Sequence, residues 1–290
     1  MTDPSTAVTV VLCTRDRPEL LHHAVGAITA SLHPGDELVV VDSASRDVTA
    51  ADAARARGIR VIRTRKPGLS RARNAGVAAA RNPLVAFTDD DCRPEVGWVD
   101  ALRAGFDDPA VGFVTGRVDA DREGRLSVSC MVEDQPRRLR RGDDPFGFGV
   151  GANMAARRAA IAKVDGFDER LGAGVALRAG EDVDLWWRLV EAGWDGAYAP
   201  GARVTHVQWR SDGRALGLSY GYGLGAGALS VKAIRSGRTG GWGLLSRRLW
   251  RDGLRRAGAD LASGYQAGAV ASSLQALGCA VGATRALTWR

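Results

Sequence analysis

Three consecutive aspartates, Asp89, Asp90 and Asp91, close the apolar run PLVAFT. Like charges at the end of a buried strand repel one another unless solvent or a cation relieves them. Asp89 and Asp91, two apart in an extended chain, point the same way. A hard divalent cation that also holds phosphate oxygens accounts for this, because Mg2+ characteristically takes one or two protein carboxylates together with substrate phosphates. A second acidic group, Glu181, Asp182 and Asp184, falls where GEDVDLWWRLV takes up helical spacing. Acidic residues in a first turn offset the helix dipole and need no chemistry. Beside a metal-held diphosphate, an ionised carboxylate there suits removal of a proton from an incoming hydroxyl, and Asp182 is the candidate base. His206, ending GARVTH, reads either as a further metal ligand or as a core histidine, and spacing alone favours the core.

These residues need a scaffold. The runs TAVTVVLCT, ELVVVDS, IRVIRT, PLVAFTDDD and VGFVTGRV alternate with segments of helical character such as PELLHHAVGAITA and SRARNAGVAAA. Runs without polar alternation predict strands buried on both faces, hence an α/β fold with a mixed, mostly parallel, Rossmann-like sheet flanked by helices. Ligands of such sheets bind beyond the carboxyl ends of the strands. That edge would carry Thr14, Arg15 and Asp16, then Asp42, Ser43 and Ser45, then the three aspartates; Asp42 could equally cap a helix near Asp47. There is no GxxxxGK[ST], and GYGLGA (Gly221, Gly223, Ala226) has no strand run ahead of it, so its glycines read as close helix packing or a turn.

Composition describes a folded globular chain of 290 residues, 45% apolar. Disorder and disulfide-stapled miniproteins are excluded. Cys13, Cys92, Cys130 and Cys279 are scattered, which suggests neither zinc nor a disulfide framework and fits a reduced, cytoplasmic compartment. The amino terminus does not read as a signal peptide. Charge is unevenly placed: residues 207–290 hold twelve basic against three acidic residues, a net +9, leaving −2 for residues 1–206. The expected division is therefore a catalytic domain over 1–206 and a basic, mostly helical extension over 207–290. Within 240–256, Trp242, Leu244, Leu245, Leu249, Trp250 and Leu254 interleave with five arginines. As a helix this stretch either meets an anionic membrane surface or packs its Trp/Leu stripe on the main domain. Leu261 to Thr284, uncharged but rich in Ala, Gly and Ser, reads as a packed or interfacial segment. No nucleic-acid motif accompanies the charge, and no nucleic-acid partner is expected.

Over roughly residues 7 to 206 the chain resembles the family 2 glycosyltransferases of the GT-A fold. Five elements occur in that family's order: VVLCTRDRPELL, VVVDSASRD, GLSRARNAG, FTDDDCRP and GANMAARRAA…GFDE…GEDVDL. The resemblance implies a nucleotide-diphosphosugar donor, transfer with inversion to an acceptor hydroxyl, and Mn2+ or Mg2+ as cofactor. It implies that Thr14 and Asp42 contact the base, that Arg73 lies near the base or diphosphate, that Asp89 approaches the ribose and that Asp91 binds the metal. Arg15 and Asp90 join the nucleotide-binding set, and Asp89 and His206 the metal set. Asp182 takes the place of the general base with Glu181 beside it, and Gly151, Ala152 and Asn153 form the floor of the acceptor side. HVQWR is followed by a short tail without a membrane bundle, so transfer of one or a few sugars fits better than processive synthesis. The segment RRLRRGDDPFGFG, residues 137–149, reads either as a mobile segment that closes to exclude water or, from its Gly, Pro and charge content, as an inert surface loop.

Two other readings compete. A sugar-phosphate nucleotidyltransferase also uses carboxylate-bound metal, but TRDRPELL stands where its Gly-rich loop would be. A non-catalytic basic module binding membrane or polyanion is opposed by the acidic balance of residues 1–206. The basic, Trp-bearing tail suggests a lipid-linked or cell-envelope acceptor and a peripheral place on the cytoplasmic membrane face.

Overall fold

The computed structural model describes residues 6–122, 129–238 and 240–289. Its apolar runs are strands of one nine-stranded sheet. β1 (Val8–Thr14), β2 (Glu37–Asp42), β3 (Arg60–Arg63) and β4 (Leu84–Asp89) form the parallel half. β5 (Cys92–Pro94), β6 (Val111–Ala120), β7 (Arg137–Leu139), β8 (Asn153–Arg157) and β9 (Asp195–His206) complete it in the order β3-β2-β1-β4-β8-β6-β9-β5, with β7 also paired to β9. β8 runs antiparallel to both β4 and β6, while β6 and β9 are parallel.

β1 is buried along its whole length and β2 and β4 nearly so, as runs rich in Val and Leu with little polar alternation require. β3 departs from that expectation. It is the outer strand, so Arg60 and Arg63 are exposed and Val61 and Ile62 only half-buried. Helices α1 (Pro18–Thr29), α2 (Thr49–Ala56), α3 (Leu69–Ala79), α4 (Trp98–Ala104), α5 (Arg158–Lys163) and α6 (Glu181–Glu191) accompany the strands. α1 starts where Pro18 sets its first turn, and buries Leu21, Ala24, Val25 and Ile28 at three-to-four residue spacing.

Two registers set up the site. Thr14 lies opposite Asp42, and Cys13 opposite Asp89, so the strand ends β1, β2 and β4 are level. On the far side Cys92 of β5 lies opposite His206 of β9, which draws the third aspartate toward the histidine. Residues 137–149 are more anchored than a free loop: β7 pairs with β9, Leu139 and Phe148 are buried, and the Phe148 carbonyl accepts a bond from Thr115 Oγ1.

The chain divides into two compact units, one of residues up to 122, 129–168 and 182–208, the other including 169–181 and 209 onward. The second unit is helical: α7 (Asp212–Arg235), α8 (Gly241–Ser246), a π-helical stretch Arg247–Arg255, α9 (Arg256–Ala262) and α10 (Gln266–Ala286). The 240–256 segment is thus not one α-helix but an α-turn running into π geometry. α7 and α10 lie side by side in the same direction with backbones in contact. A Cβ at Gly223 or Gly227 would strike α10 backbone at Gln275 and Cys279, and one at Gly278 or Gly282 the carbonyls of Tyr220 and Leu224. Gly223 of the GYGLGA motif therefore serves close helix packing. α10 is long and apolar enough to cross a membrane by length and composition, with mean hydropathy 1.2, and 39% of that window is buried.

Candidate active site

The turns after β1 and β2 interlock. Ser43 N donates to Thr14 O at 2.9 Å, and Asp16 N to Ser45 Oγ at 2.9 Å. Asp16 (φ 53°) and Ala44 (φ 58°) are left-handed without being glycine, a strained arrangement of the kind that gathers at ligand sites. Asp42 is buried; its Oδ1 accepts from Ser45 N at 2.8 Å, while Oδ2 accepts no hydrogen bond and lies 3.3 Å from Arg63 Nη1. It does not cap α2, where Asp47 instead accepts from Thr49 N and Oγ1. Asp42 thus presents a buried acceptor oxygen. Arg15 is exposed beside Asp16, 3.7 Å away, and is not drawn in among the aspartates.

The three aspartates differ in partners. Asp90 is pinned from two sides, by Thr14 Oγ1 at 2.8 Å and by Arg17 Nη1 at 2.7 Å. Burial, opposed by Arg17 and aided by Asp91, pushes Asp90 up to about 6. Asp89 is raised too, chiefly by burial, against the pull of Arg73 3.4 Å away. Asp91 lies 3.4 Å from Arg17 Nη1 and 3.4 Å from His206 Nε2. Burial lowers the basicity of His206, but hydrogen bonds to Asp91 and Cys130 and the charges of Asp91 and Asp89 outweigh it, raising the ring to about 10. Gln208 hydrogen-bonds the other ring nitrogen at 2.7 Å and fixes the ring plane.

Among the described residues, Asp91, Cys92 and His206 bring donor atoms within 4.8 Å of one another. Burial and the two neighbouring carboxylates hold the Cys92 thiol well above its ordinary value; the Asp91 carboxylate and, once a metal displaces its proton, the His206 imidazole stand beside it as candidate ligands. An oxygen and a nitrogen donor together suit a divalent cation.

Asp182 stands at the start of α6. Its Oδ2 accepts from Gly151 N at 2.9 Å and its Oδ1 from Val183 N at 2.8 Å. Arg73, fully enclosed on α3, donates to the Gly151 carbonyl at 3.0 Å and reaches Asp89, with its guanidinium 5.5 Å from the Phe167 ring. Arg73 therefore ties the loop that holds Asp182 to Asp89. Asn153, two residues on, faces inward: its amide accepts from Trp98 Nε1 and donates to the carbonyls of Arg117 and Ala202, all at 2.8 Å, bracing the sheet. Ala152 is buried in the core. Of the GAN segment, Gly151 is the residue that meets Asp182. Glu181, the first residue of α6, is buried and belongs to the other compact unit. Asp184 is a structural ion pair with Arg188, at 2.8 Å.

Arg17 and Gln208 were not legible as site residues. A cation just past a strand end, in TRDRPELL, and a polar side chain two residues after His206 were the available signals.

The sequence profile of Glycosyl transferase family 2 matches residues 9–165. The chain belongs to that family. It is 36% identical over 129 residues to a pre-mycofactocin glycosyltransferase of Mycobacterium tuberculosis, covering 42% of this chain and 26% of the relative. It is 42% identical over 77 residues to the N-acetylglucosaminyl-diphospho-decaprenol L-rhamnosyltransferase of the same organism, covering 27% of this chain and 24% of that one. The match thus spans about a quarter of the length of these curated relatives. In fold, the chain superposes on a mannosyltransferase from Pyrobaculum calidifontis in complex with GDP-Man and Mn2+, with TM-score 0.67 and 19% identity over 98% of this chain and 89% of that one. S. aureus TarS 1–349 in complex with UDP gives TM-score 0.57 and 15% identity over 74% and 64%. The fold is that of the GT-A glycosyltransferases.

Proposed function

We propose that the protein is an inverting, metal-dependent transferase that moves one sugar from a nucleotide-diphosphosugar to the hydroxyl of a lipid-linked or cell-envelope acceptor at the cytoplasmic membrane face. The observation that carries the mechanism is the continuous path from Asp182 through Gly151 and Arg73 to Asp89, beside the Asp91–His206 pair. Asp42 Oδ2 accepts a hydrogen bond from the nucleotide base, and the turn carrying Thr14 shapes its pocket. Asp91 and His206 would hold the divalent ion, with Asp89 toward the ribose. When bound, that ion neutralises charge developing on the leaving nucleoside diphosphate. Asp182, locked in place by two backbone amides yet with lone pairs to spare, takes the proton of the acceptor hydroxyl as that oxygen attacks the anomeric carbon from the face opposite the leaving group. The rhamnosyltransferase relative, whose acceptor is a diphospho-decaprenol, supports a lipid-linked acceptor.

Calorimetric titration with UDP, GDP and dTDP, each with Mn2+ and with EDTA, tests the donor side. One nucleotide should bind in a metal-dependent way, and Asp91→Ala should abolish it; binding to none of the three refutes the reading. Asp182→Asn should keep nucleotide affinity and lose donor turnover.

A further inference from the structure

The closest interior contacts of the second unit are made by small residues: the four α7/α10 glycines, Gly253 whose Cβ would meet Ala276 at 2.6 Å, and buried Ala257 and Ala269. Leu224, Leu229, Val231 and Leu244 are buried beside them, but other large apolar side chains turn outward. Trp242 is 72% exposed, Trp250 66% and Leu254 56%, and on α10 Leu277 is 56% exposed with Val270 one heptad away on the same stripe. Small residues inside and large apolar residues outside is how helices pack in lipid, where burying apolar surface between helices gains little and close backbone approach gains more. Trp250 and Leu254 are neighbours at i and i+4, and Arg251 and Arg255, both exposed, run beside them in the same step. Exposed tryptophan and leucine flanked by arginine is the chemistry of an anionic lipid interface.

We infer that the 241–262 helical stretch, with its Trp242, Trp250 and Leu254 face and the arginines beside it, docks the protein on an anionic bilayer. Charge selects this occupant. The net +9 of residues 207–290 opposes pairing of two copies through this surface and complements acidic headgroups. Aliphatic leucines beside the tryptophans fit acyl chains, whereas a single-stranded nucleic acid would call for a ladder of stacking aromatics. The inference does not depend on the transfer reaction.

The test uses the full chain with vesicles of phosphatidylcholine alone and of phosphatidylcholine with phosphatidylglycerol, read by co-sedimentation and by tryptophan quenching with brominated lipid. Binding should need phosphatidylglycerol. It should weaken about fivefold for each arginine removed in Arg251→Ser and Arg255→Ser, and more than about tenfold in Trp242→Ser/Trp250→Ser, with the quenching lost. Because these side chains are exposed, unfolding midpoints should stay at the wild-type value, separating lost docking from lost folding. Equal vesicle binding by wild type and the tryptophan variant overturns the inference. So does retention of poly-U RNA without vesicle binding, or a dimer that the tryptophan variant dissociates in the absence of any vesicle binding.

Discussion

Gly151→Ala adds one methyl group where the loop before β8, the Arg73 guanidinium and the first turn of α6 meet. The new carbon would sit 2.8 Å from Asp182 Oδ2, 2.9 Å from Asp182 Cβ and 3.0 Å from Arg73 Nη1. Ordinary contact begins at 3.4 Å, so the neighbours must retreat by about 0.4–0.6 Å. Arg73 has no room to swing, being enclosed and bonded to the Gly151 carbonyl and Asp89. Asp182 Cβ is fixed to the α6 backbone, so the carboxylate must turn and its bond from Gly151 N must stretch or break. Overpacking of this kind costs about 1–3 kcal/mol of stability. Misplacing a reacting group by a fraction of an ångström to an ångström lowers turnover by on the order of a hundredfold. The assay is release of nucleoside diphosphate from the donor sugar, paired with calorimetric nucleotide binding and a thermal melt. Turnover should fall about a hundredfold while nucleotide affinity changes little. Wild-type turnover in the variant, or nucleotide binding lost in step with turnover, would refute the view that Gly151 sets the position of Asp182.

Asn153→Ala removes three buried hydrogen bonds and strands Trp98 Nε1 and two carbonyls; denaturant unfolding should show a loss of about 2–4 kcal/mol. Gly26 is exposed in the middle of α1 with nothing within 4 Å of an added Cβ, so Gly26→Ala should raise stability by about 0.5–1 kcal/mol. Burial raises Asp90 from 3.8 to about 6, so its proton favours the folded state below pH 4 and that contribution is lost as pH rises to about 6. In metal-free protein the unfolding free energy should therefore decline across this window by up to about 3 kcal/mol from this group, and Asp90→Asn should flatten the decline; an identical pH slope in the variant would show that Asp90 is not the source.

The parallel half of the sheet is legible because β1, β2 and β4 are apolar runs whose ends carry polar and acidic groups, and the carboxyl-edge rule then points to Thr14, Asp42 and Asp89. β8 is hidden for the opposite reason: NMAAR is rich in alanine and arginine, good helix formers, and becomes a strand only because β4 and β6 flank it. β5, three residues long, carries no periodicity at all, yet its pairing with β9 is what sets Asp91 against His206. The same distinction holds in the site. Carboxylates at strand ends announce themselves, whereas the grip of Arg17 on Asp90 and the link from Arg73 to Gly151 depend on how loops from distant parts of the chain come together. In the tail, helical spacing was visible but its facing was not. Leu224, Leu229 and Leu244 turn inward while Trp242, Trp250 and Leu254 stay exposed, which spacing alone did not decide.

The backbone contact between α7 and α10 also bears on how the chain is made. A helix as rich in glycine as α7 has little stability of its own, and its partner lies beyond the whole of α8, the π-helical stretch and α9. At a translation rate of about 5–20 residues per second, α7 is made seconds before α10 is complete and free to close over Gly223 and Gly227. During that interval residues 212–235 form an open, weakly helical segment, and chains ending short of residue 266, once released from the ribosome, should be cut there by protease while the already completed sheet resists.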